Sequence, residues 1–267
     1  MAYKLIAVDV DGTLLNSEGI LTEETKKAVI ACVEKGVIFS ICSGRPIQGV
    51  EYLNEMLGLD LPFITYNGAM VVMGKSKKIL YEQKLSSQNA KNIIDLGKTY
   101  GTTILIWIEN KLYASELNER TNKYKEIARV EPILIDDVDE LIKNGVTKIL
   151  WYDEIEKIEE YQSEVGKFLF DSVNYHTSRP MFLEFVDKNA SKAIAMKRLG
   201  EHYKIEQSEM IAIGDGYNDL SMIEYAGLGV AMANSVDAIK EKADFITLSN
   251  DEDGVAHVIR RFILSDS

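Results

Sequence analysis

Both ends of this 267-residue chain alternate short apolar runs with helical stretches, and the middle does not. That pattern constrains the fold more than any single motif. Near the N-terminus, residues 4–10 read as a strand, 22–35 as a helix, 37–42 as a second strand, 46–57 as a helix and 62–66 as a third strand. Thr22 stands where an N-cap belongs, Glu23 and Glu24 favour the first turn, and Gly36 stops that helix. Pro46 suits the first turn of the next one. From residue 191 the alternation returns, with helices at 191–203, 218–226, 235–243 and 254–264 and strands at 210–214, 228–232 and 245–248. Strands joined through helices require a parallel sheet covered on both faces.

Residues 71–73 and 79–81 flank a Gly-Lys-Ser-Lys-Lys turn and read as a hairpin. Residues 85–187 then mix helices (86–100, 117–128, 154–169) with strands (102–109, 146–152, 173–186) and hold both tryptophans. The expected fold class is α/β: a doubly wound, Rossmann-like core from residues 1–84 and 188–267, interrupted by an inserted α+β domain at 85–187. Trp107 and Trp151 are expected in the core of the insert rather than as a substrate platform.

A formal net charge of −12 argues against a nucleic-acid partner or an anionic membrane surface. It also requires that any site for an anionic substrate reverse the field locally, through a metal and a few cations. The two cysteines, Cys32 and Cys42, lie in apolar segments and read as buried free thiols of a reducing compartment. With neither a leader pattern nor an apolar run of membrane-spanning length, the expected location is cytoplasmic. The histidines (His176, His202, His257) have no metal-ligand spacing and receive no role, and Asp251-Glu252-Asp253-Gly254 reads as solvated surface before the last helix.

Ligands of open parallel sheets bind beyond the carboxyl ends of the strands. Four strand ends here carry polar clusters: Asp9-Val10-Asp11-Gly12-Thr13, Ser43-Gly44-Arg45, Asn67-Gly68 and Gly214-Asp215-Gly216-Tyr217-Asn218-Asp219. Turns favour such residues, but four clusters on one sheet edge exceed what turns require. Paired carboxylates at the mouth of a sheet point to a divalent cation or to acid–base chemistry. An EF-hand loop from Asp9 fails because its sixth and twelfth positions are Leu14 and Ile20. A dinucleotide fingerprint from Gly214 fails at Asp219, and no P-loop, with a leading glycine five residues before Gly-Lys-Ser/Thr, is present.

Taken in order, these clusters and Lys192 resemble the four signatures of haloacid-dehalogenase superfamily phosphatases, in particular the Cof-type branch with a large inserted cap. The resemblance covers essentially the whole chain. One departure is visible: the third signature commonly reads Lys-Gly, and here it is Lys192-Ala193. The resemblance implies a nucleophile at Asp9, a general acid–base at Asp11 and a charge-stabilising Lys192. It implies Mg²⁺ on the carboxylates of Asp9 and Asp215 and the backbone carbonyl of Asp11, with Asp219 holding the metal's water shell or orienting Lys192. Gly12, Thr13, Ser43, Gly44, Arg45, Asn67 and Asn218 are the residues expected around phosphate and substrate.

Rival readings stand beside several of these. Ser43 is equally placed to cap the helix entered at Pro46, Arg45 to form a surface ion pair, and Asn67 to serve only as a turn residue. The segment 178–184 is read as a strand of the insert facing the site, with Arg179 either an anion contact or a solvated charge. The expected activity is Mg²⁺-dependent hydrolysis of small phosphorylated metabolites, sugar phosphates favoured, by a monomer or weak homodimer with no nucleic-acid or membrane partner. A phosphotransferase or phosphomutase using the same intermediate is the alternative. A non-catalytic phospho-receiver fits less well, because it needs neither Asp11 as a leaving-group acid nor the insert.

Overall fold

The computed structural model describes residues 3–265. They form two compact units. The first takes the residues up to Ser43, Val50–Tyr81 and those from Ser191 onward; the second takes Glu82–Ala190 together with the short segment Gly44–Gly49.

The first unit is built on an eight-stranded sheet. Across it the strands run Phe245–Ile246, Leu228–Ala231, Met210–Gly214, Leu5–Asp9, Ile38–Cys42, Pro62–Thr65, Met70–Met73 and Ile79–Glu82. The first six are parallel, and Met70–Met73 turns back antiparallel on Pro62–Thr65. Leu5–Asp9 lies centrally, with the following strands on one side of it and the C-terminal strands on the other. That reversal of strand order is where a doubly wound sheet opens a crevice at its carboxyl edge.

All five residues of this central strand are buried, as a strand covered on both faces must be. Leu5 and Ala7 pack with Ala195, Met196 and Leu199 of the helix Lys192–Tyr203. Ile6 and Val8, on the opposite face, are just as inaccessible. Each fully buried aliphatic side chain of this kind contributes about 1.5–3 kcal/mol. Asp9 continues the series 5, 7, 9 and so leaves the strand on the side of the helix that begins with Lys192.

The second unit holds a six-stranded sheet ordered Val173–Arg179, Phe182–Asp187, Lys148–Tyr152, Thr103–Ile108, Lys111–Ala114 and Ile133–Leu134. Its pairs are antiparallel except the last. Trp151 sits in a buried cluster with Ile93, Ile104, Ile149, Ile158 and Phe185. Trp107 is equally buried and donates from Nε1 to the Tyr124 hydroxyl at 3.1 Å. Both tryptophans therefore act in packing, as expected.

Several elements differ from the sequence expectation. The run 173–186 is a hairpin, broken by the turn at Pro180-Met181 with a register shift between Thr177 and Arg179. The segment 178–184 is therefore the tip of a hairpin and not one strand. The stretch 46–57 divides into a 3₁₀ turn, Ile47–Gly49, and a helix, Tyr52–Leu57. The last helix, Gly254–Ile259, continues in π-type turns over Arg260–Leu264. No helix among the described residues is long and apolar enough to cross a membrane.

Candidate active site

At the carboxyl edge of the first unit's sheet, Lys192 lies with no accessible surface between two carboxylates. Its ammonium is 2.5 Å from Asp9 Oδ1 and also donates to Asp219 Oδ1. Ser191 starts the helix by accepting the Ile194 amide, which fixes Lys192 in the first turn. Asp219 spends its other oxygen on two backbone amides, those of Asp215 and Gly216, each at 3.0 Å. It thereby closes the loop after Met210–Gly214 while holding the lysine. Asp215 in turn accepts the Thr13 hydroxyl at 2.8 Å. One oxygen each from Asp9, Asp215 and Asp219 fall within 4.8 Å of one another.

The chain leaves Asp9 through two wide hydrogen bonds, Leu14 N–H to Asp9 O (3.1 Å) and Leu15 N–H to Val10 O (3.0 Å). These i→i+5 bonds make a π-type turn, which presents the Asp11 side chain at the exposed surface. Gly12 adopts φ +84°, and a Cβ there would lie 2.5 Å from Asp215 Oδ2. Only glycine supplies both that conformation and that approach. Thr13, expected near phosphate and substrate, donates its hydroxyl proton to Asp215.

Ser43 is buried; its amide donates to Ile64 O at 2.8 Å and its carbonyl accepts the Asn67 amide at 3.1 Å. Gly44 and Arg45 group with the second unit. Beyond Pro62–Thr65 come three successive left-handed residues, Tyr66 (φ 52°), Asn67 (φ 54°) and Gly68 (φ 98°). A buried tyrosine at positive φ is strained, and such strain concentrates at functional sites. A Cβ on Gly68 would meet the Ser191 carbonyl at 2.1 Å, so this loop lies directly on the start of the lysine helix. Asn67 Oδ1 accepts Asn218 Nδ2 at 3.2 Å, joining two of the expected substrate-facing residues.

Burial, with Asp219 and Asp215 close by, pushes the Asp9 carboxyl up to about 8 against the pull of Lys192. Burial also raises Asp215. Lys192 is disfavoured as a cation by burial, but Asp219 and Asp9 outweigh this and hold it well above its ordinary value. A single ammonium thus faces more carboxylate charge than it neutralises. Three buried or half-buried carboxylates with one lysine form a donor set that fits a hard divalent cation. Asp9 and Asp215 retain oxygens for direct ligation, whereas both oxygens of Asp219 are already engaged.

The sequence matches the model of haloacid dehalogenase-like hydrolases over residues 6–259. The chain belongs to that family. Bacillus subtilis YxeH is 36% identical over 269 residues, covering 98% of this chain and 99% of its own length. The 5-amino-6-(5-phospho-D-ribitylamino)uracil phosphatase YcsE of the same organism is 34% identical over 262 residues, 98% of this chain and 96% of its own. The solved structure of the HAD subclass IIB sugar phosphatase BT4131 superposes with a TM-score of 0.80 at 26% identity, over 97% of this chain and 98% of that one. The family and the α/β fold expected from the strand-end signatures are both borne out, and this hydrolase is an enzyme.

Its remaining polar features were not legible in the sequence. Asp251 and Asp253, expected as solvated surface, tie the N-terminal loop: Asp251 accepts the Ser17 amide at 2.8 Å, and Asp253 accepts the Thr22 and Thr25 hydroxyls. In the second unit, Lys148 and Glu184 form a buried pair at 3.0 Å that Ser178 joins by donating to Glu184 at 2.8 Å. His176, which had no expected role, lies 3.7 Å from Glu184. Arg179 is exposed. None of these residues belongs to a recognisable motif; only the register of Phe182–Asp187 against Lys148–Tyr152 brings Glu184 to the lysine's side of the sheet.

Proposed function

We propose that this hydrolase is a Mg²⁺-dependent phosphatase of small phosphorylated metabolites, with sugar phosphates as the favoured class. The observation that carries the reading is the buried Asp9, held by Lys192 and crowded by Asp215 and Asp219, at the carboxyl edge of the sheet. Activities named for YcsE and BT4131 support the substrate class.

Asp9 attacks phosphorus, and the bond from phosphorus to the ester oxygen breaks. Asp11 delivers a proton to the departing alcohol. Asp11 then takes a proton from water, which attacks the aspartyl-phosphate; the bond to Asp9 breaks and inorganic phosphate leaves. Lys192 offsets charge at the phosphoryl oxygens and at Asp9, while Ser43, Asn67 and Asn218 orient the group and Asp219 keeps Lys192 in place. The Asp9 and Asp215 carboxylates and the Asp11 carbonyl would hold the ion, whose bound charge would ease the approach of a phosphate dianion to an acidic site. We assign choice of the leaving group to an inserted cap at 85–187 between core segments 1–84 and 188–267. The protein acts as a monomer or weak homodimer in the cytoplasm, in keeping with its free, buried Cys32 and Cys42.

The test is release of phosphate from a panel of phosphorylated metabolites with Mg²⁺ or with chelator. Asp9→Asn is expected to abolish turnover while keeping the fold. Retained activity in that variant, or full activity in chelator, sinks the reading; transfer to an added sugar in place of phosphate release would make the enzyme a phosphotransferase.

A further inference from the structure

The loop carrying Asp11 is gripped from outside by two asparagines with no assigned part in the reaction. Asn234, just past the strand Leu228–Ala231, donates from Nδ2 to the Gly12 carbonyl at 2.8 Å. Its Oδ1 accepts the backbone amide of Asn250 at 3.1 Å. Asn250 donates from its own Nδ2 to the Leu15 carbonyl at 3.0 Å. The two carbonyls bracket the π-type turn: Gly12 directly follows Asp11, and Leu15 closes the turn and bridges to Asp11. On the inner side the same turn is limited by Asp215, which leaves no room for a Cβ at Gly12.

We infer that Asn234, oriented by Asn250, is a positioning residue for the Asp11 carboxyl group. This rests on the reading of Asp11 as the general acid–base. Asp9 is anchored by a buried strand and by Lys192, so it needs no such support. Asp11 is the exposed residue of a turn whose Val10, Thr13, Leu14 and Leu15 are buried, and its placement relative to the leaving oxygen depends on what fixes the turn at Gly12. An amide side chain is well suited to fixing it. It donates to one carbonyl and accepts from one amide at once, and so links the Gly12 and Asn250 backbones through a single planar group. Removing it frees Gly12 O from the C-terminal segment and lets the turn shift outward. Proton transfer is sensitive to such displacement, because a misplacement of about 1 Å can cost roughly a hundredfold.

Proton delivery matters most when the leaving group is a poor one. Asn234→Ala is therefore expected to lower kcat on an alkyl phosphate by about tenfold or more, and kcat on p-nitrophenyl phosphate by less than about threefold, with KM little changed. Asn234→Asp keeps size and acceptor but loses the donor, and should behave like Ala; Asn234→Gln keeps the donor and should recover part of the loss. In an Asp11→Asn background, Asn234→Ala should add no further dependence on the leaving group. Equal losses on both substrates, a wild-type Asn234→Asp, or a full additional effect in the double variant would overturn the inference. If Asp11→Asn alone shows no leaving-group dependence, it is the assignment of Asp11 that fails. An unchanged far-UV spectrum and melting temperature separate a moved turn from a lost fold.

Discussion

Replacing Lys192 by methionine removes the one ammonium from a cluster of three carboxylates while keeping most of its buried stem. The carboxylate oxygens lie within 4.8 Å of one another. At that separation two unit charges repel by at least about 3.5 kcal/mol with an effective dielectric near 20. Proton uptake by Asp9, which burial already drives towards about 8, relieves part of this. Breaking one partner out of a buried ion pair costs about 3–5 kcal/mol, and Lys192→Met should fall in that range in chelator at neutral pH. For a unit of this size about 1 kcal/mol moves the melting temperature by roughly 2–4 °C, so a drop of about 6–20 °C is expected. The pH dependence has a definite sign. Because the Asp9 pKa is raised in the folded state, its ionisation costs stability as pH rises from about 4 towards about 8, and losing Lys192 enlarges that cost. The gap between variant and wild type should therefore widen over that window and narrow below it. Saturating Mg²⁺ should restore part of the lost stability without restoring turnover. A Lys192→Met protein as stable as wild type in chelator at pH 7 would refute the claim that the cluster depends on this cation.

Gly12→Ala forces a side chain into a left-handed position against Asp215, at a cost of about 1–2 kcal/mol, and should reduce the rise in melting temperature expected on adding Mg²⁺. Lys148→Met strands the buried Glu184 and should lose about 3–5 kcal/mol in urea unfolding, whereas the double change Lys148→Met with Glu184→Leu should recover most of it. Although burial opposes it, Lys148 keeps Glu184 below its ordinary pKa; that stabilisation is present above about 4.3 and fades as pH falls, so the deficit of Lys148→Met should shrink in acid. Asp11→Asn should slow alkyl phosphate hydrolysis by about 10²–10⁴-fold and activated aryl phosphates far less, by phosphate release assays.

The sheet of the first unit was legible because its strands are buried on both faces and read as uninterrupted apolar runs. Its polar strand ends stood out for the same reason, since an aspartate after Leu-Ile-Ala-Val has no ordinary place in a core. What stayed hidden depends on pairing at long range. The grip of Asn234 on Gly12 spans 222 positions, and the Lys148–Glu184 pair becomes visible only with the antiparallel register. Asp253 looked like solvent-facing charge because nothing local reveals that Thr22 and Thr25 complete its hydrogen bonds. The short elements Ile133–Leu134 and Val138–Ile142 are too brief for any period to emerge.

The grouping of Gly44–Gly49 with Glu82–Ala190 bears on how parts of such enzymes can be exchanged. The boundary is crossed four times along the chain, and the first two crossings enclose Arg45. Gln48 fixes this short excursion to its adopted unit by donating to the Asn110 carbonyl at 2.7 Å. A graft that moves residues 82–190 alone into a relative would meet a foreign partner at Asn110, and would leave behind Arg45, which groups with the same unit. The smallest transplantable block is therefore discontinuous: the long insert and the segment Gly44–Gly49, moved together.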